Sequence, residues 1–101
     1  MYGGYIYFMT NRTNKVLYVG MTSDLKRRIA EHIEGSGSAF TRKYHCCKLV
    51  YYECFADIDQ AIIREKQLKY FKREWKNALV DEVNPEWKDL YEGMVMNPMI
   101  V

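Results

Sequence analysis

The first twenty residues contain two short apolar runs separated by a polar break, and this pattern constrains the fold more than any other feature. The runs include Tyr5-Ile6-Tyr7 and Tyr18-Val19-Gly20, and residues 10–15 between them are polar. Such an arrangement predicts a β-hairpin. Because side chains alternate across a strand, Tyr7 and Tyr18 can face the same side of the sheet. Either the two phenols share one pocket, or both tyrosines are ordinary packing groups.

The next segments alternate between helix and strand signals. Residues 22–24 offer capping side chains, an apolar stripe at helical spacing follows, and Gly35 closes the element, which predicts a helix over 24–34. Residues 35–38 are a glycine- and serine-rich turn, and the run at 48–55 predicts a third strand.

The remainder of the chain predicts two more helices. A long one extends from about 57 to 79, and a short one starts at 84–87, where Asn serves as cap and Pro lies in the first turn. The fold class is therefore α/β of the α+β kind, with a small three-stranded antiparallel sheet flanked by helices in the order β-β-α-β-α-α. We assign residues 1–92 to the domain and 93–101 to a C-terminal tail, which serves either as a docking or dimer segment or as a frayed end.

The composition excludes several classes of protein. With 101 residues the chain forms one small domain. It contains no run of about 20 apolar residues and no N-terminal signal pattern, so we expect a cytoplasmic protein. Cys46, Cys47 and Cys54 fit neither a disulfide framework nor a zinc site spaced Cys-x-x-Cys, so we expect reduced cysteines, with Cys54 packed in a strand.

The net charge of +2 conceals an uneven distribution. Residues 1–76 carry a net charge of +6, whereas residues 77–101 carry −4. Basic clusters with aromatic residues between them suit a polyanion such as nucleic acid, although solvated helix faces have the same composition. The residues that we expect to contact phosphates are Lys26, Arg27, Arg42, Lys43 and Lys69.

Glu65 interrupts the apolar stripe of the second predicted helix. The stripe consists of Ile58, Ile62, Leu68, Phe71, Trp75 and Leu79. A carboxylate on this inward face needs a cation or a polar cleft, because burying an unpaired charge is costly. Glu65 therefore forms a salt bridge to Arg28 or a neighbouring lysine, or it binds a metal ion.

The first helix contributes a pair of polar side chains on one face. Arg28 and His32 are one turn apart, beside the apolar stripe. Either residue alone is commonly a surface or core group. Together with two tyrosines and a carboxylate, they supply what phosphodiester hydrolysis requires: phenols to handle a proton, a guanidinium for phosphate charge and a ligand for a divalent ion.

In these positions the chain resembles the GIY-YIG nuclease superfamily along nearly its whole length. It is most similar to the small stand-alone bacterial members, which resemble the N-terminal nuclease domain of the nucleotide-excision-repair excinuclease. The matching positions in chain order are Tyr5-Ile6-Tyr7, Tyr18-Val19-Gly20, Arg28, His32, Glu65, Asn77 and the closing motif at 84–90.

Three points of the match are incomplete. Tyr5 stands where the name motif has its first glycine, and Val19 occupies the variable middle of the second motif. Neither position carries a catalytic group in the family. Asn77 matches an asparagine that buttresses the family site, but Asn84 is an alternative for that role.

The resemblance implies a divalent-metal-dependent endonuclease that hydrolyses DNA phosphodiester bonds, in DNA repair or recombination. Glu65 would hold Mg²⁺ or Mn²⁺, and Arg28 would bind a phosphate oxygen. Tyr7 would take the proton of the attacking water, Tyr18 would orient that water or the phosphate, and His32 would assist. Because an unperturbed tyrosine has a pKa of about 10, either positive charge from Arg28, Lys15 or the metal lowers the pKa of Tyr7, or Tyr7 relays a proton to bulk solvent.

Two further interpretations remain open on the sequence alone. The chain is either this enzyme or a nucleic-acid-binding module that keeps the fold without cutting. A domain with one site needs two copies to cut both strands of a duplex, so a homodimer or a recruiting protein partner is a further expectation.

Overall fold

The computed structural model describes residues 2–96, and it contains three strands and five helices in that range. The elements are β1 Gly4–Thr10, β2 Leu17–Thr22, α1 Leu25–Glu34, α2 Ala39–Lys43, β3 Lys48–Phe55, α3 Ile58–Lys69, α4 Arg73–Val83 and α5 Tyr91–Met96. The predicted fold class is confirmed: helices flank an antiparallel three-stranded sheet in the order β2-β1-β3.

The hairpin places both tyrosines on one face of the sheet. Tyr18 pairs with Met9, and Tyr7 pairs with Gly20. Because Tyr7 and Met9 are two residues apart on β1, their side chains and that of Tyr18 point the same way. The rings of Tyr7 and Tyr18 lie 6.3 Å apart between centroids.

The central strand β1 is buried along its whole length and separates two apolar cores. On one face Tyr5, Tyr7 and Met9 pack with residues that include Leu25 and Ile29 of α1. On the other face Ile6 and Phe8 pack with side chains from β3, α3 and α4. The site residues predicted on β1, β2 and α1 therefore lie together on the first face.

The long helix predicted over 57–79 is wrong, because the chain forms two helices with a break at residues 70–72. Lys72 adopts an extended conformation at the break, and Arg73 begins α4. The break lets both Leu68 of α3 and Val80 of α4 reach the same core.

The helix predicted to start at Asn84 is also wrong, since Asn84 ends α4 instead. Its buried side-chain amide donates to the carbonyls of Val50 at 3.0 Å and Lys88 at 2.9 Å, and its Oδ1 accepts from the Lys88 backbone N–H. Trp87 has a φ of 54°, which no helix would allow at that position. Asn84 therefore fastens this irregular segment to β3, and the last helix begins only at Tyr91.

The last helix extends past the domain boundary predicted at residue 92. Helix α5 crosses residue 92 and buries Met94 in the first core, while residues 97–101 of the predicted tail lie outside the described residues. The division of the chain at 92 stays a prediction.

Cys46, Cys47 and Cys54 are free thiols, and Cys54 packs in β3 as predicted. Within residues 2–96, no helix is long and apolar enough to cross a membrane.

Candidate active site

The ring of Tyr7 crosses the neighbouring strand at Gly20. Gly20 pairs with Tyr7, and a Cβ atom at this position would collide with the carbon and oxygen atoms of the phenol. Any larger residue would therefore displace the ring. At Gly20 the backbone of β2 therefore passes directly against the Tyr7 ring.

The Tyr7 hydroxyl begins a chain of buried hydrogen bonds that leads to helix α2. Tyr7 Oη lies 2.7 Å from His32 Nε2, and His32 Nδ1 lies 2.9 Å from Thr41 Oγ1. All three side chains are almost fully buried. Gly37 leaves room for the imidazole, because a Cβ there would overlap His32 Nδ1.

The partners of His32 allow a tautomer in which Tyr7 donates to the ring. Thr41 Oγ1 lies 3.2 Å from the Ser38 carbonyl oxygen and 2.9 Å from Ser38 Oγ. When the Thr41 hydroxyl donates to either Ser38 atom, its oxygen can accept from His32 Nδ1–H. Nε2 of His32 then has a free lone pair that accepts the phenolic proton of Tyr7.

Burial sets the charge state of this pair. It raises the pKa of Tyr7 to about 12, and the nearby Arg28 guanidinium opposes only part of that rise. Burial, with a contribution from Arg28, lowers the pKa of His32 to about 4. Both groups are neutral near pH 7. In the free protein Arg28 therefore does not lower the pKa of Tyr7 below its ordinary value, because desolvation outweighs the effect of the guanidinium.

Arg28 is held beside Tyr7 by two other contacts. Its Nη1 donates to Glu31 Oε1 at 3.0 Å and its Nη2 donates to the Gly37 carbonyl at 3.2 Å. Glu31, and to a smaller extent Tyr7, raise the pKa of the guanidinium, so Arg28 is cationic throughout the physiological range. A cleft of about 290 Å³ opens between α1 and the turn that precedes it, and Arg27, Arg28 and Glu31 line one side.

The ring of Tyr18 lies beside the rings of Tyr7 and His32. Its ring stands edge-on to the His32 imidazole at a centroid distance of 5.6 Å. Unlike Tyr7, Tyr18 is only half-buried. It therefore lies between the buried hydrogen-bond chain and the solvent.

Glu65 acts on the same group from helix α3. Among the groups that shift the pKa of Tyr7, the Glu65 carboxylate makes the smallest contribution, and its negative charge raises that pKa. The side chain is 20% exposed, and Oε2 lies 3.6 Å from Lys69 Nζ. Of the alternatives open from the sequence, the ion pair with a neighbouring lysine is therefore present, and the partner is Lys69.

Asn77 lies on α4 and contacts the hairpin through Arg73. Its Oδ1 accepts from Arg73 Nε at 2.8 Å. The two terminal nitrogens of Arg73 donate to the carbonyls of Lys15 and Asn14, in the turn between β1 and β2. Asn77 therefore fixes the end of the hairpin rather than contacting the phenols.

Comparison with known proteins identifies this arrangement of residues. The sequence profile of the GIY-YIG catalytic domain matches residues 3–78. The chain belongs to the GIY-YIG family. It is similar to a UPF0213 protein of Haloquadratum walsbyi, with 37% identity over 78 residues that cover 77% of this chain and 86% of the relative. A UPF0213 protein of Staphylococcus haemolyticus is 35% identical over 78 residues, which cover 77% of this chain and 94% of the relative.

A solved structure agrees with the GIY-YIG assignment. The solution NMR structure of the UPF0213 protein BH0048 from Bacillus halodurans superimposes with a TM-score of 0.55. The two chains are 27% identical, and the match covers 88% of this chain and 94% of the other. The resemblance inferred from the motifs is therefore confirmed at the level of family and fold. Members of the GIY-YIG family are generally nucleases.

The donor groups of this GIY-YIG site fit an open divalent-cation site rather than a closed one. Among residues 2–96, no three His, Cys, Asp or Glu side chains come together to hold a metal. Mg²⁺ does not need such a cage, because it keeps several waters and is often held by one or two carboxylates together with phosphate oxygens. Glu65 is partly exposed and would offer one such carboxylate if Lys69 moved aside.

The basic residues predicted to contact phosphate lie on three helices of the GIY-YIG fold. Lys26 and Arg27 belong to α1, and Arg27 Nε lies 3.6 Å from Glu31 Oε2. Arg42 and Lys43 are exposed on α2. Lys69 ends α3, next to Glu65.

Sequence reasoning missed helix α2 and the residues that link it to the site. The composition of residues 35–38 predicts only a turn, but Ser38 is the N-cap of α2 and forms a capping box with Thr41. The spacing of Ser38 and Thr41 carries that signal, because a capping box pairs positions three residues apart. The ion pair of Arg28 with Glu31 has a similar signal in its helical spacing.

Proposed function

We propose that this chain is a divalent-metal-dependent endonuclease that hydrolyses phosphodiester bonds in DNA. One observation carries the proposal: the Tyr7 hydroxyl is hydrogen-bonded to neutral His32 and lies within the influence of both Arg28 and Glu65. A proton-handling group and a phosphate-binding cation thus meet at one phenol, and the charge of a carboxylate acts on the same phenol. These are the functional groups that a phosphodiesterase needs.

In this proposal Tyr7 removes the proton of the attacking water while it remains linked to His32. A free phenolate is scarce near pH 7 when the pKa of Tyr7 is about 12. The hydrogen bond to His32 Nε2 lets Tyr7 pass its own proton on as it receives one from water. Thr41 keeps the imidazole in the tautomer that accepts this proton.

Arg28 provides the positive charge for the scissile phosphate. It binds a non-bridging oxygen and stabilises the charge that develops in the transition state. Glu31 and the Gly37 carbonyl hold the guanidinium in place until a phosphate competes for it. Tyr18, at the solvent side of the pair, orients the water or the phosphate.

Glu65 is the residue that would hold Mg²⁺ or Mn²⁺. When bound, the ion supplies Lewis-acid stabilisation of the departing oxygen. The partial exposure of the carboxylate and its electrostatic effect on Tyr7 support this assignment. Asn77 supports the site indirectly, through Arg73 and the turn of the hairpin that carries both tyrosines.

We place the biological role in DNA repair or recombination, whose intermediates include nicked and branched DNA. The proposed contacts with the DNA backbone come from Lys26, Arg27, Arg42, Lys43 and Lys69. A second copy of the chain or a recruiting protein would allow both strands to be cut.

One observation favours the second candidate function, a binding module of the same fold that does not cut. In the described structure Lys69 pairs with the Glu65 carboxylate, which would neutralise the only proposed metal ligand. This candidate predicts DNA binding without cleavage under any divalent ion.

A cleavage assay with a matched pair of variants distinguishes the two functions. Nicked, branched and single-stranded DNA are incubated with Mg²⁺, Mn²⁺ or EDTA and with wild type, Glu65→Gln or Glu34→Gln. Glu34 is an exposed acid on α1 and serves as the control. We expect divalent-dependent cleavage that falls at least about 100-fold in Glu65→Gln and is unchanged in Glu34→Gln. Cleavage by Glu65→Gln at the wild-type rate, or none by wild type on any substrate, would reject the proposal.

A further inference from the structure

Helix α2 buries a single side chain and exposes the others. Thr41 points inward to His32, whereas the remaining four residues of the helix and Tyr44, which follows it, are at least partly exposed. Phe40 and Tyr44 are 42% and 39% exposed. Aromatic side chains contribute most to folding when they are buried, so folding alone does not explain two of them on this surface.

Phe40 and Tyr44 continue a line of rings that starts inside the candidate active site. The Tyr18 ring, which contacts His32, lies 5.7 Å from the Phe40 ring at an interplanar angle of 30°. The Phe40 ring lies 4.8 Å from the Tyr44 ring at 47°. We call Tyr18, Phe40 and Tyr44 the aromatic row. It leads from the buried pair of Tyr7 and His32 to the outer surface of α2.

The aromatic row is accompanied by positive charge. Lys43 Nζ lies 5.3 Å from the centroid of the Tyr44 ring, and Arg42 is exposed on the same helix. The five residues of α2 include no acidic side chain. Exposed rings combined with cations are the features by which proteins bind single-stranded nucleic acid, since bases stack on the rings and phosphates pair with the cations.

We propose that the aromatic row stacks against unpaired bases of the DNA strand that enters the active site. The inference rests on the proposed function for the position of the cut, and it names the substrate class: DNA with a single-stranded segment next to the scissile phosphate. Bases within an intact duplex are already stacked on one another and present only their edges in the grooves. An intact duplex therefore uses the cations of α2 but not its rings.

Equilibrium binding in EDTA tests the aromatic row without any cleavage. Fluorescence anisotropy compares a labelled single strand with a blunt duplex of the same sequence. The variants are Phe40→Leu and Tyr44→Leu, which keep apolar bulk but remove the ring face. The control is Tyr70→Leu, since Tyr70 is 89% exposed and lies away from the row, in the break between α3 and α4. Thermal unfolding of each variant establishes that it is folded.

We expect each row variant to bind the single strand about tenfold more weakly, with duplex binding unchanged and Tyr70→Leu equal to wild type on both. Single-strand binding by Phe40→Leu and Tyr44→Leu within twofold of wild type would overturn the inference. Equal losses of affinity for the single strand and the duplex would also overturn it. The rings would then act by maintaining the structure of α2 and not by stacking on unpaired bases.

A cleavage assay on the same DNA separates this inference from the proposed function. Ring-dependent binding by a wild type that never cuts supports the aromatic row and rejects the nuclease. Cleavage by wild type together with ring-independent binding supports the nuclease and rejects the aromatic row.

Discussion

At the scale of single residues, burial decides the chemistry of the Tyr7 and His32 pair. Both side chains are nearly inaccessible to water, and desolvation favours the neutral form of each. With both groups neutral, the Tyr7 hydroxyl can donate to a lone pair on His32 Nε2.

The lowered pKa of His32 predicts a loss of stability in mild acid. The unfolded chain binds a proton at His32 near pH 6.5, whereas the folded chain binds it only near pH 4. The contribution of neutral His32 to the free energy of unfolding is therefore fully present above pH 6.5, and it is lost as the pH falls towards 4. From the size of the shift we expect a loss of up to about 3 kcal/mol in the free energy of unfolding.

Urea unfolding between pH 7 and pH 4 measures this contribution. His32→Gln removes the titration and should show a shallower pH dependence than wild type. His45→Gln is the matched control, because His45 is exposed, and it should behave as wild type. The account of His32 is wrong if His32→Gln and wild type lose stability equally over this range.

The raised pKa of Tyr7 predicts the pH dependence of cleavage. With a pKa of about 12 for Tyr7 and about 4 for His32, both members of the relay stay neutral from pH 6 to 9. We therefore expect the ratio of the single-turnover cleavage rates of wild type and Tyr7→Phe to be constant over this range. A ratio that rises about tenfold per pH unit would argue for a free phenolate and against the relay through His32.

At the scale of secondary-structure elements, the hairpin provides the close approach that the site needs. The ring of Tyr7 fits across β2 only because Gly20 has no side chain. We expect Gly20→Ala to displace the ring, to cost about 1–3 kcal/mol of stability and to reduce cleavage strongly. Cleavage assays and urea unfolding measure the two effects.

Gly93→Ala is the control for Gly20→Ala. A Cβ at Gly93, in α5, meets no atom within 4 Å. Because alanine favours helix more than glycine does, we expect this variant to gain about 0.5–1 kcal/mol and to retain full activity. Wild-type cleavage by Gly20→Ala would contradict the packing described for Tyr7.

The elements also show which parts of the fold a sequence can predict. The bounds of β3 and of α1 agree with prediction within a residue, because their capping and strand signals are local. The break between α3 and α4 contains neither proline nor glycine, and it follows from the need of Leu68 and Val80 to reach one core. Asn84 has the sequence of a helix start, but its partner Val50 lies 34 residues away. Tertiary contacts of this kind override local signals.

Only part of the candidate site is predictable from the sequence. Periodicity on the hairpin and on α1 brings Tyr7, Tyr18 and His32 together. The rise in the pKa of Tyr7 is not predictable in this way, because the burial that causes it depends on the packing of the complete core. The role of Thr41 is hidden for the same reason, since it depends on how α2 folds back onto α1.

At the scale of the whole molecule, the two faces of the sheet have different tasks. The face with α1 and α5 holds the buried pair and Arg28. The opposite face packs α3, which carries Glu65, and α4 in a core with its own polar network of Tyr51, Glu53 and Arg64. Residues 1–76, which contain the proposed catalytic groups apart from Asn77, carry a net charge of +6, and residues 77–101 carry −4. This distribution suits a polyanion that approaches the site from the side of α1 and α2.

The most direct test of the account compares two buried tyrosines on opposite faces of the sheet. Tyr7→Phe removes the hydroxyl that contacts His32, and Tyr51→Phe removes the hydroxyl that contacts Glu53. Single-turnover cleavage of the best wild-type substrate is measured for both, after unfolding experiments establish that both are folded. We predict a loss of about 10²–10⁴-fold for Tyr7→Phe and a rate near wild type for Tyr51→Phe. A Tyr7→Phe variant that cuts within threefold of wild type would contradict the central role of this phenol.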